Sequence, residues 1–446
     1  MKLFYNSIFI LTIVSAGTVL TSCNDFVQID PPRTDLVRAT VFANDETADA
    51  AVVNMYYQMQ LRGSFASGGD ISISFLGALS SDDAINKQPS QQEIQAFNSN
   101  ALLATNPRIL TLWSDLYKII YKSNSCIEGL TASTSLTKER KDGLTGEAQF
   151  VRAFAYFYLV NLFGDVPLVL STDYQVNQSI ARTPKNQVYA QIKADLVDAQ
   201  MLLRGDYAVS EQERVRPNRF AAAALLARVH LFLGEWSEAE SEASIVIENT
   251  LFSLTDLNDV FLKNSDEAIW QLIPLSVVPT DRSSALLSSS LSPSFIATLP
   301  GNDQRAGLWI NGVSANKYRS TGSNSTEYSM ILRVAEQYLI RAEARAHLND
   351  LEGSTEDVNK IRLRAGLQVI ALTTLGEAMD EIEIQRRREL FMEWGHRWLD
   401  LKRWNKAATV LSPIKNGWND HDQLYPIPES QILNDPAMRN QQNPGY

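Results

Sequence analysis

The stretch NRFAAAALLARVHLFLGEWSEAESEASIVIEN, residues 218–249, says most about the fold of this chain. Its apolar residues follow helical spacing on both sides of a break at Leu233-Gly234-Glu235-Trp236. Small residues recur where two packed helices would touch, at Ala223, Ala227, Ala239 and Ala243. With a glycine at the turn and an aromatic residue two positions later, this spacing predicts a tetratricopeptide-like helix pair. A generic helical hairpin is the alternative for this unit taken alone.

Helical periodicity continues over most of the chain and predicts a mainly α-helical fold with minor short β-strands. Further helices are predicted at 46–61, 109–130, 144–163, 189–203, 331–348 and 355–365, and the last two form a second candidate repeat. A short strand is predicted at 268–274. Four segments are rich in Ser, Gly, Asn and Pro and poor in helix signal: 63–74, 86–107, 276–300 and 301–329. Long connections of this kind are usually functional.

The N-terminus predicts export and attachment to lipid. Lys2 and the apolar run over 3–20 have the layout of a signal peptide, so residues 1–22 are expected to be removed. The run ends at Leu20-Thr21-Ser22-Cys23, which resembles the lipobox of bacterial lipoproteins, in which the cysteine is fatty-acylated. A buried N-terminal helix and a free thiol at Cys23 are the alternatives. No later apolar run reaches the roughly 20 residues of a spanning helix. We therefore expect a protein that is anchored to a membrane without crossing it.

Composition and motifs exclude several classes of function. The chain has 446 residues, with 40 basic against 51 acidic side chains, and this acidic balance disfavours nucleic-acid binding. Motifs for phosphate loops, dinucleotide binding, nucleophile elbows and zinc proteases are absent, and the four histidines are scattered. No metal site, cofactor site or catalytic nucleophile is therefore expected, although Asp and Glu are too frequent to dismiss a carboxylate pair. Cys126 lies on an apolar stretch and is expected to be a core residue.

Sequence blocks in a fixed order resemble the SusD/RagB family of nutrient-binding outer-membrane lipoproteins from Bacteroidetes. The blocks are GEAQFVRA (146–153), FGDVP (163–167), ILRVAE (331–336), YLIRAEA (338–344), VNKIR (358–362), RAG (364–366), RRRELF (386–391), GHRW (395–398), DLKRW (400–404), LYPIP (424–428), NDP (434–436) and QNPGY (442–446). Together with the lipobox they extend over nearly the whole mature chain. One departure is Gln385, where the family usually has Glu, and we expect it to remove one ion pair.

This resemblance implies a SusD-like fold, in which four tetratricopeptide-like helix pairs form the scaffold and long loops carry the ligand site. Residues 23–446 would form a single unit, made of an N-terminal segment at 23–260 and a C-terminal segment at 261–446. The resemblance also implies a non-catalytic lipoprotein of the cell outer membrane, facing the exterior, that delivers captured oligosaccharides to a SusC-like TonB-dependent transporter. Periplasmic retention, capture of peptides, an adaptor without a small ligand and a glycan-cleaving enzyme are the alternatives. Few exposed aromatic rings at the site would favour peptides.

Charged residues near the C-terminus recur three and four positions apart, at Glu389, Glu393, Arg397, Asp400 and Arg403. That is the spacing of neighbours on one helix surface. We interpret them as a structural ion network that holds the C-terminal segment to the helical scaffold, with ligand contact as the alternative.

The loops supply the candidate ligand contacts. A sugar ring presents flat C–H faces between its hydroxyl groups, so a glycan site favours exposed aromatic rings with polar neighbours. The aromatic candidates are Trp309, Tyr318, Phe65 and Phe97, each of which would otherwise be a loop anchor packed into the body. The polar candidate is Asp82, for which a turn or a helix cap is the alternative.

Overall fold

The computed structural model describes residues 38–61, 63–275, 288–319 and 326–446 of the chain. The predicted signal peptide, Cys23 and the tether that follows it lie outside these residues. Most of the described residues are helical, which confirms the predicted mainly α-helical fold class.

Helices and strands are numbered along the described part of the chain. The α-helices are α1 Asp45–Gln60, α2 Ile73–Ser80, α3 Gln92–Ser99, α4 Pro107–Ala132, α5 Lys138–Phe163, α6 Tyr174–Asn177, α7 Lys185–Leu202, α8 Arg219–Leu233, α9 Trp236–Ile247, α10 Pro293–Ile296, α11 Gln304–Leu308, α12 Val334–His347, α13 Leu351–Arg364, α14 Leu375–Leu390, α15 His396–Arg403, α16 Ala407–Leu411 and α17 Glu429–Asn434. The strands are β1 Ala84–Asn86, β2 Val166–Pro167, β3 Arg182–Thr183, β4 Ala268–Leu272, β5 Ser289–Leu291, β6 Ile310–Asn311, β7 Ser314–Ala315 and β8 Ser329–Arg333. They form antiparallel pairs: β1 with β5, β2 with β3, β4 with β8 and β6 with β7.

Eight of the helices form a continuous stack. In the order α4, α5, α7, α8, α9, α12, α13 and α14, each helix packs against the next. The chain leaves this stack after α9 and returns to it at α12, and the residues between them contain β4, β5, β8 and the short helices α10 and α11. Eight helices stacked in chain order agree with the four tetratricopeptide-like pairs that the family resemblance implies.

The hairpin predicted from residues 218–249 is present as α8 and α9. Asn218 caps α8, because its side chain accepts hydrogen bonds from two backbone N–H groups of the first turn. Gly234 ends the helix in the left-handed region, with φ +71°, where a side chain would be strained. The small residues Ala227, Ala239 and Ala243 pack in one buried cluster with residues of α12, so they do lie where helices touch.

One predicted helix begins differently in the structure. The predicted helix at 331–348 starts only at Val334, because Ser329–Arg333 is strand β8. Strand β8 pairs with β4, which confirms the strand predicted near 268. The pairing joins segments about sixty residues apart, so local periodicity carries no signal for it. Helices α3, α10 and α11 likewise lie in segments that carried little helix signal.

Helix α5 runs through the main core. From Gly146 to Phe163 almost all of its residues are buried. The ring of Phe154 contacts Trp270 of β4 and Trp394 after α14, at centroid distances of 5.5 Å and 5.2 Å. Cys126 on the neighbouring helix α4 is buried as expected, and burial raises the pKa of its thiol to about 12. The helical stack and the C-terminal part of the chain therefore share one hydrophobic core.

Candidate ligand-binding surface

The two best aromatic candidates lie inside the protein. The indole Nε1 of Trp309 donates a hydrogen bond to the Leu257 carbonyl at 2.9 Å, and the backbone N–H of Met330 donates to the Tyr318 hydroxyl at 3.0 Å. Both rings pack against Phe261, at centroid distances of 5.6 Å and 4.9 Å, and both are buried. Their predicted role as exposed ligand platforms is therefore corrected: they anchor the loop around residues 304–319 to the body.

Phe65 and Phe97 are corrected in the same way. Neither ring is accessible to solvent, and Phe97 packs edge-on against Tyr425 of the C-terminal segment at 5.3 Å. Burying each ring removes a large apolar surface from water, which outweighs any benefit of exposing it on a loop. Phe65 anchors its turn and Phe97 anchors helix α3 to the body, which is the anchoring alternative that the sequence left open.

Asp82 is engaged by arginines. Its carboxylate oxygens lie 2.8 Å from Nε of Arg397 and 2.8 Å from the guanidinium of Arg387, which also contacts Asp83 at 3.0 Å. Burial alone would raise the pKa of Asp82, but the two guanidiniums outweigh it and lower the pKa. The predicted ligand contact at Asp82 is corrected to a buried ion pair. Asp82 lies in the turn that follows α2, which agrees with the turn alternative.

A buried ion cluster joins the loops to the helical stack. Four cations and four carboxylates contribute: Arg305, Arg333, Arg364, Lys317, Glu267, Asp303, Glu389 and Glu393. None of these side chains is more than 7% exposed. The cluster is formally neutral, as a buried set of charges must be to avoid an uncompensated charge in a medium of low polarity.

Glu389 is the centre of this buried ion cluster. Its carboxylate contacts Arg333 at 2.6 Å, Arg305 at 3.1 Å and also Arg364. Burial alone would raise the pKa of Glu389, but these guanidiniums outweigh it and hold the pKa well below its ordinary value. Gln385, where the family usually has Glu, lies beside the cluster. Its amide oxygen accepts a hydrogen bond from Arg305 at 2.9 Å, so the residue still contacts Arg305 although it carries no charge.

The charged residues from 389 to 403 do form a structural network, but its partners are mostly distant in sequence. Helix α14 ends at Leu390 and α15 begins at His396, so the five residues do not share one helix surface. Arg397 contacts Glu383 at 2.9 Å, and Arg403 contacts Glu343 at 2.5 Å. Only the Asp400–Arg403 contact, at 2.7 Å, has the predicted spacing along a helix.

The anchored loops leave one shared outer face, which we call the outer loop surface; it consists of residues 84–91, 288–291 and 310–316. Strand β1 pairs with β5, and the backbone N–H of Leu291 donates to the Val313 carbonyl at 2.7 Å. The ammonium of Lys87 donates to the Ser314 hydroxyl at 3.4 Å. Three loops that are far apart in sequence therefore form a single face.

Aliphatic and polar groups are exposed side by side on the outer loop surface. Ile85 is 41% exposed and Val313 is 51% exposed, and Lys87 and Asn311 are exposed next to them in the chain. This combination suits a ligand that has C–H faces as well as hydrogen-bonding groups. Sequence reasoning missed Ile85, although its place between the buried Ala84 and Asn86 has the alternation of a half-buried strand.

A cavity of about 800 Å³ lies elsewhere, between the start of α5 and the segment 202–218. Most charged side chains on its wall are paired with each other or with neighbours, as in Lys138–Asp142, Glu139–Arg204 and Arg216–Glu147. Its lining residues include no aromatic side chain.

The described part of the chain contains no helix that is long and apolar enough to cross a membrane, and no cluster of metal-ligating side chains was found within it.

Comparisons with known proteins agree with the architecture. A family model described as "Starch-binding associating with outer membrane" matches residues 45–231, and one described as "SusD family" matches residues 297–446. The chain is 26% identical to SusD-like protein P2 of Formosa agariphila, over 98% of this chain and 99% of that protein. A crystal structure of a SusD superfamily protein from Bacteroides vulgatus superposes with a TM-score of 0.78 at 19% identity, covering 90% of this chain and 99% of that one. A laminarin-binding SusD-like protein superposes with a TM-score of 0.75 at 24% identity, covering 90% and 100%.

Proposed function

The chain belongs to the SusD/RagB family, and from that premise we propose that it captures oligosaccharides at the cell surface and passes them, chemically unaltered, to a SusC-like TonB-dependent transporter. The observation that carries this proposal is the outer loop surface, which three loops present on a rigid base. Two independent facts support the ligand class: the family description names starch binding, and a similar structure is of a laminarin-binding protein.

Preorganisation is the physical reason why this surface suits binding. The aromatic anchors and the buried ion cluster hold the loops in place before any ligand arrives. A ligand that meets an ordered surface does not have to offset the entropy of ordering it. Burial of Trp309 and Tyr318 therefore supports the site without contact to the ligand.

We also propose that the protein is a lipoprotein of the outer membrane that faces the exterior. The basis is sequence alone: the signal peptide at 1–22, the lipobox that ends at Cys23 and the family membership. Two or more acyl chains at one cysteine would hold the protein firmly, because each buried CH₂ contributes about 0.8 kcal/mol. The segments 23–260 and 261–446 would act as one unit, and packing of α9 against α12 across that boundary supports this.

Peptide capture is the second candidate function, and one observation favours it. The described part of the outer loop surface exposes aliphatic and amide groups, and no aromatic ring lies on it. Peptides can be held by aliphatic contacts and hydrogen bonds, whereas sugar sites commonly use exposed rings. An adaptor role without any small ligand is the remaining alternative, since helical repeat scaffolds support it.

A binding screen separates these functions. Protein that starts after Cys23 would be tested against plant and host oligosaccharides and against peptide mixtures, followed by calorimetry of each positive. The key variant is Val313→Asp, which places a charge on the outer loop surface. Its matched control is Val197→Asp, since Val197 is 44% exposed on α7, away from that surface.

We expect wild type to bind an oligosaccharide. Its affinity should fall at least about tenfold in Val313→Asp, because the ligand would bury the new carboxylate and add a desolvation penalty. The affinity should be unchanged in Val197→Asp. Binding of peptides without binding of any oligosaccharide would support peptide capture instead. Wild-type affinity in Val313→Asp, or an equal loss in both variants, would contradict binding at the outer loop surface.

A further inference from the structure

A second cavity, of about 550 Å³, lies away from the outer loop surface and shares no residue with it. It is enclosed by the end of α5, the start of α7, the end of α8, helix α15 and the C-terminal segment. Its wall includes Asn161, Lys185, Phe232, Leu399, Lys402 and Leu424. Its volume falls in the range of about 300–1,000 Å³ that is usual for small-molecule sites.

Two lysines on this wall lack carboxylate partners. The ammonium of Lys402 donates a hydrogen bond to the Asn161 carbonyl, and that of Lys185 lies 5.6 Å from the centre of the Tyr189 ring. Across residues 38–61, 63–275, 288–319 and 326–446, no carboxylate oxygen lies within 4.0 Å of either nitrogen. In the buried ion cluster, by contrast, every cation has at least one carboxylate partner.

The other charges at the cavity compensate this pair only in part. Arg403 lines the wall as well, but Glu343 and Asp400 already compensate its guanidinium. Asp420 is the acidic group on the wall, and its side chain makes no ion pair within the described residues. Asp165 accepts a hydrogen bond from the backbone N–H of Lys185 at 2.8 Å, which fixes its carboxylate beside the start of α7.

Electrostatics in the cavity favour an anion. Desolvation of the ammonium group lowers the pKa of both lysines. For Lys185 the Asp165 carboxylate opposes this shift, and for Lys402 repulsion from Lys185 adds to it. An anion between the two nitrogens would replace this repulsion by two charge-assisted hydrogen bonds, which are about twice as strong as neutral ones. The apolar side chains of Phe232, Leu399 and Leu424 would cover the uncharged part of such a ligand.

We propose that this cavity binds the carboxylate or sulfate group of a small polar molecule between Lys185 and Lys402. An acidic sugar and a free inorganic anion share this chemistry. The inference goes beyond the proposed function, because capture of neutral oligosaccharides at the outer loop surface does not require it.

Calorimetry at constant ionic strength tests the site with three probes: sodium sulfate, glucuronate and glucose, the last being the neutral counterpart of glucuronate. The key variant is Lys185→Met, since this substitution breaks no ion pair among the described residues. Lys360→Met on α13 is the matched control, because Lys360 is an exposed lysine outside the cavity wall.

At least one of the two anions should bind and glucose should not. Affinity should fall at least about tenfold in Lys185→Met, as expected for the loss of a hydrogen bond to a charged group, and stay unchanged in Lys360→Met. Tighter binding of glucuronate than of sulfate identifies an acidic sugar as the occupant, and the reverse order identifies a free anion or a sulfate ester. The proposal is overturned if neither anion binds, if glucose binds as well as glucuronate, or if Lys185→Met binds with wild-type affinity.

Two further measurements keep the result interpretable. Lys402→Met also removes the hydrogen bond to Asn161 at the end of α5, so its melting temperature must be compared with that of wild type before its binding is interpreted. Binding of neutral oligosaccharides by Lys185→Met should match wild type. Loss of anion binding with intact oligosaccharide binding would separate this site from the outer loop surface.

Discussion

Replacing Glu389 by Gln should destabilise the whole protein, because Glu389 is the centre of the buried ion cluster. The substitution keeps the shape of the side chain and removes one negative charge. The cluster of four cations and four carboxylates would then carry a net charge of +1 in the core. Arg333, Arg305 and Arg364 each retain another carboxylate partner, so the variant should still fold.

The magnitude follows from this geometry. Breaking a buried ion pair by removing one partner costs about 3–5 kcal/mol, and the retained partners place Glu389→Gln at the lower end, about 3 kcal/mol. An unfolding entropy of about 2.1 cal/mol/K per residue over 446 residues gives about 0.9 kcal/mol/K. The melting temperature should therefore fall by about 3 °C.

The pH dependence provides a second readout. The pKa of Glu389 is held below its ordinary value in the folded protein. Glu389 therefore stabilises the folded state at pH values above its pKa in the unfolded chain, which is about 4.3. This stabilisation is lost as the pH falls towards the lower pKa of the folded state. Wild type should lose stability steeply below about pH 4.3. Glu389→Gln cannot lose this contribution, so its melting temperature should approach that of wild type in acid.

Differential scanning calorimetry between pH 3 and pH 7 measures both effects. The control is Glu356→Gln, an exposed glutamate on α13 for which no ion pair is found in the described residues, and it should melt like wild type. Oligosaccharide affinity below the melting transition should be unchanged in Glu389→Gln. A wild-type melting temperature combined with lost binding would refute the structural role and place Glu389 at a ligand.

Three other substitutions give independent checks. Arg397→Ala removes one partner from the buried carboxylate of Asp82 and one from the half-buried carboxylate of Glu383. It should lower the melting temperature by about 3 °C or more without loss of binding, and intact stability with lost binding would contradict this. Gly77→Ala should lower the stability of the protein, because the new Cβ would lie 2.6 Å from Cα of Gly395. A Cβ at Gly143 in α5 would meet no atom within 4 Å, so the control Gly143→Ala should be neutral or stabilising. Cys23→Ser should abolish labelling by a clickable palmitate analogue and release the protein from membranes, and labelling of the variant would show that the acyl chain is attached elsewhere.

Periodicity in the sequence was sufficient to predict the helical scaffold. Helices α4, α5, α7, α8 and α9 lie where the apolar stripes placed them, with ends that differ by a few residues. The hairpin turn at Gly234 was predictable because glycine readily adopts the left-handed backbone found there. These features are local, so a window of about 15 residues contains their cause.

Contacts between distant segments were not predictable in this way. Trp309 and Tyr318 lie in a Gly- and Ser-rich segment, where composition suggests exposure, yet both pack on Phe261 some fifty residues earlier. The partners of Glu389 come from α11, α13 and β8, and no spacing along α14 indicates them. The sequence identified which residues matter to the network, and only the structure shows what they contact.

Recovery of the ligand after binding tests the central claim most directly. Protein that starts after Cys23 would be saturated with each oligosaccharide found in the screen, dialysed, and denatured, and the released sugar would be sized by anion-exchange chromatography. We expect about one oligosaccharide per chain at its original length in wild type and clearly less in Val313→Asp. A shortened sugar would show catalysis, and failure of every oligosaccharide to bind would contradict the proposed capture of carbohydrate.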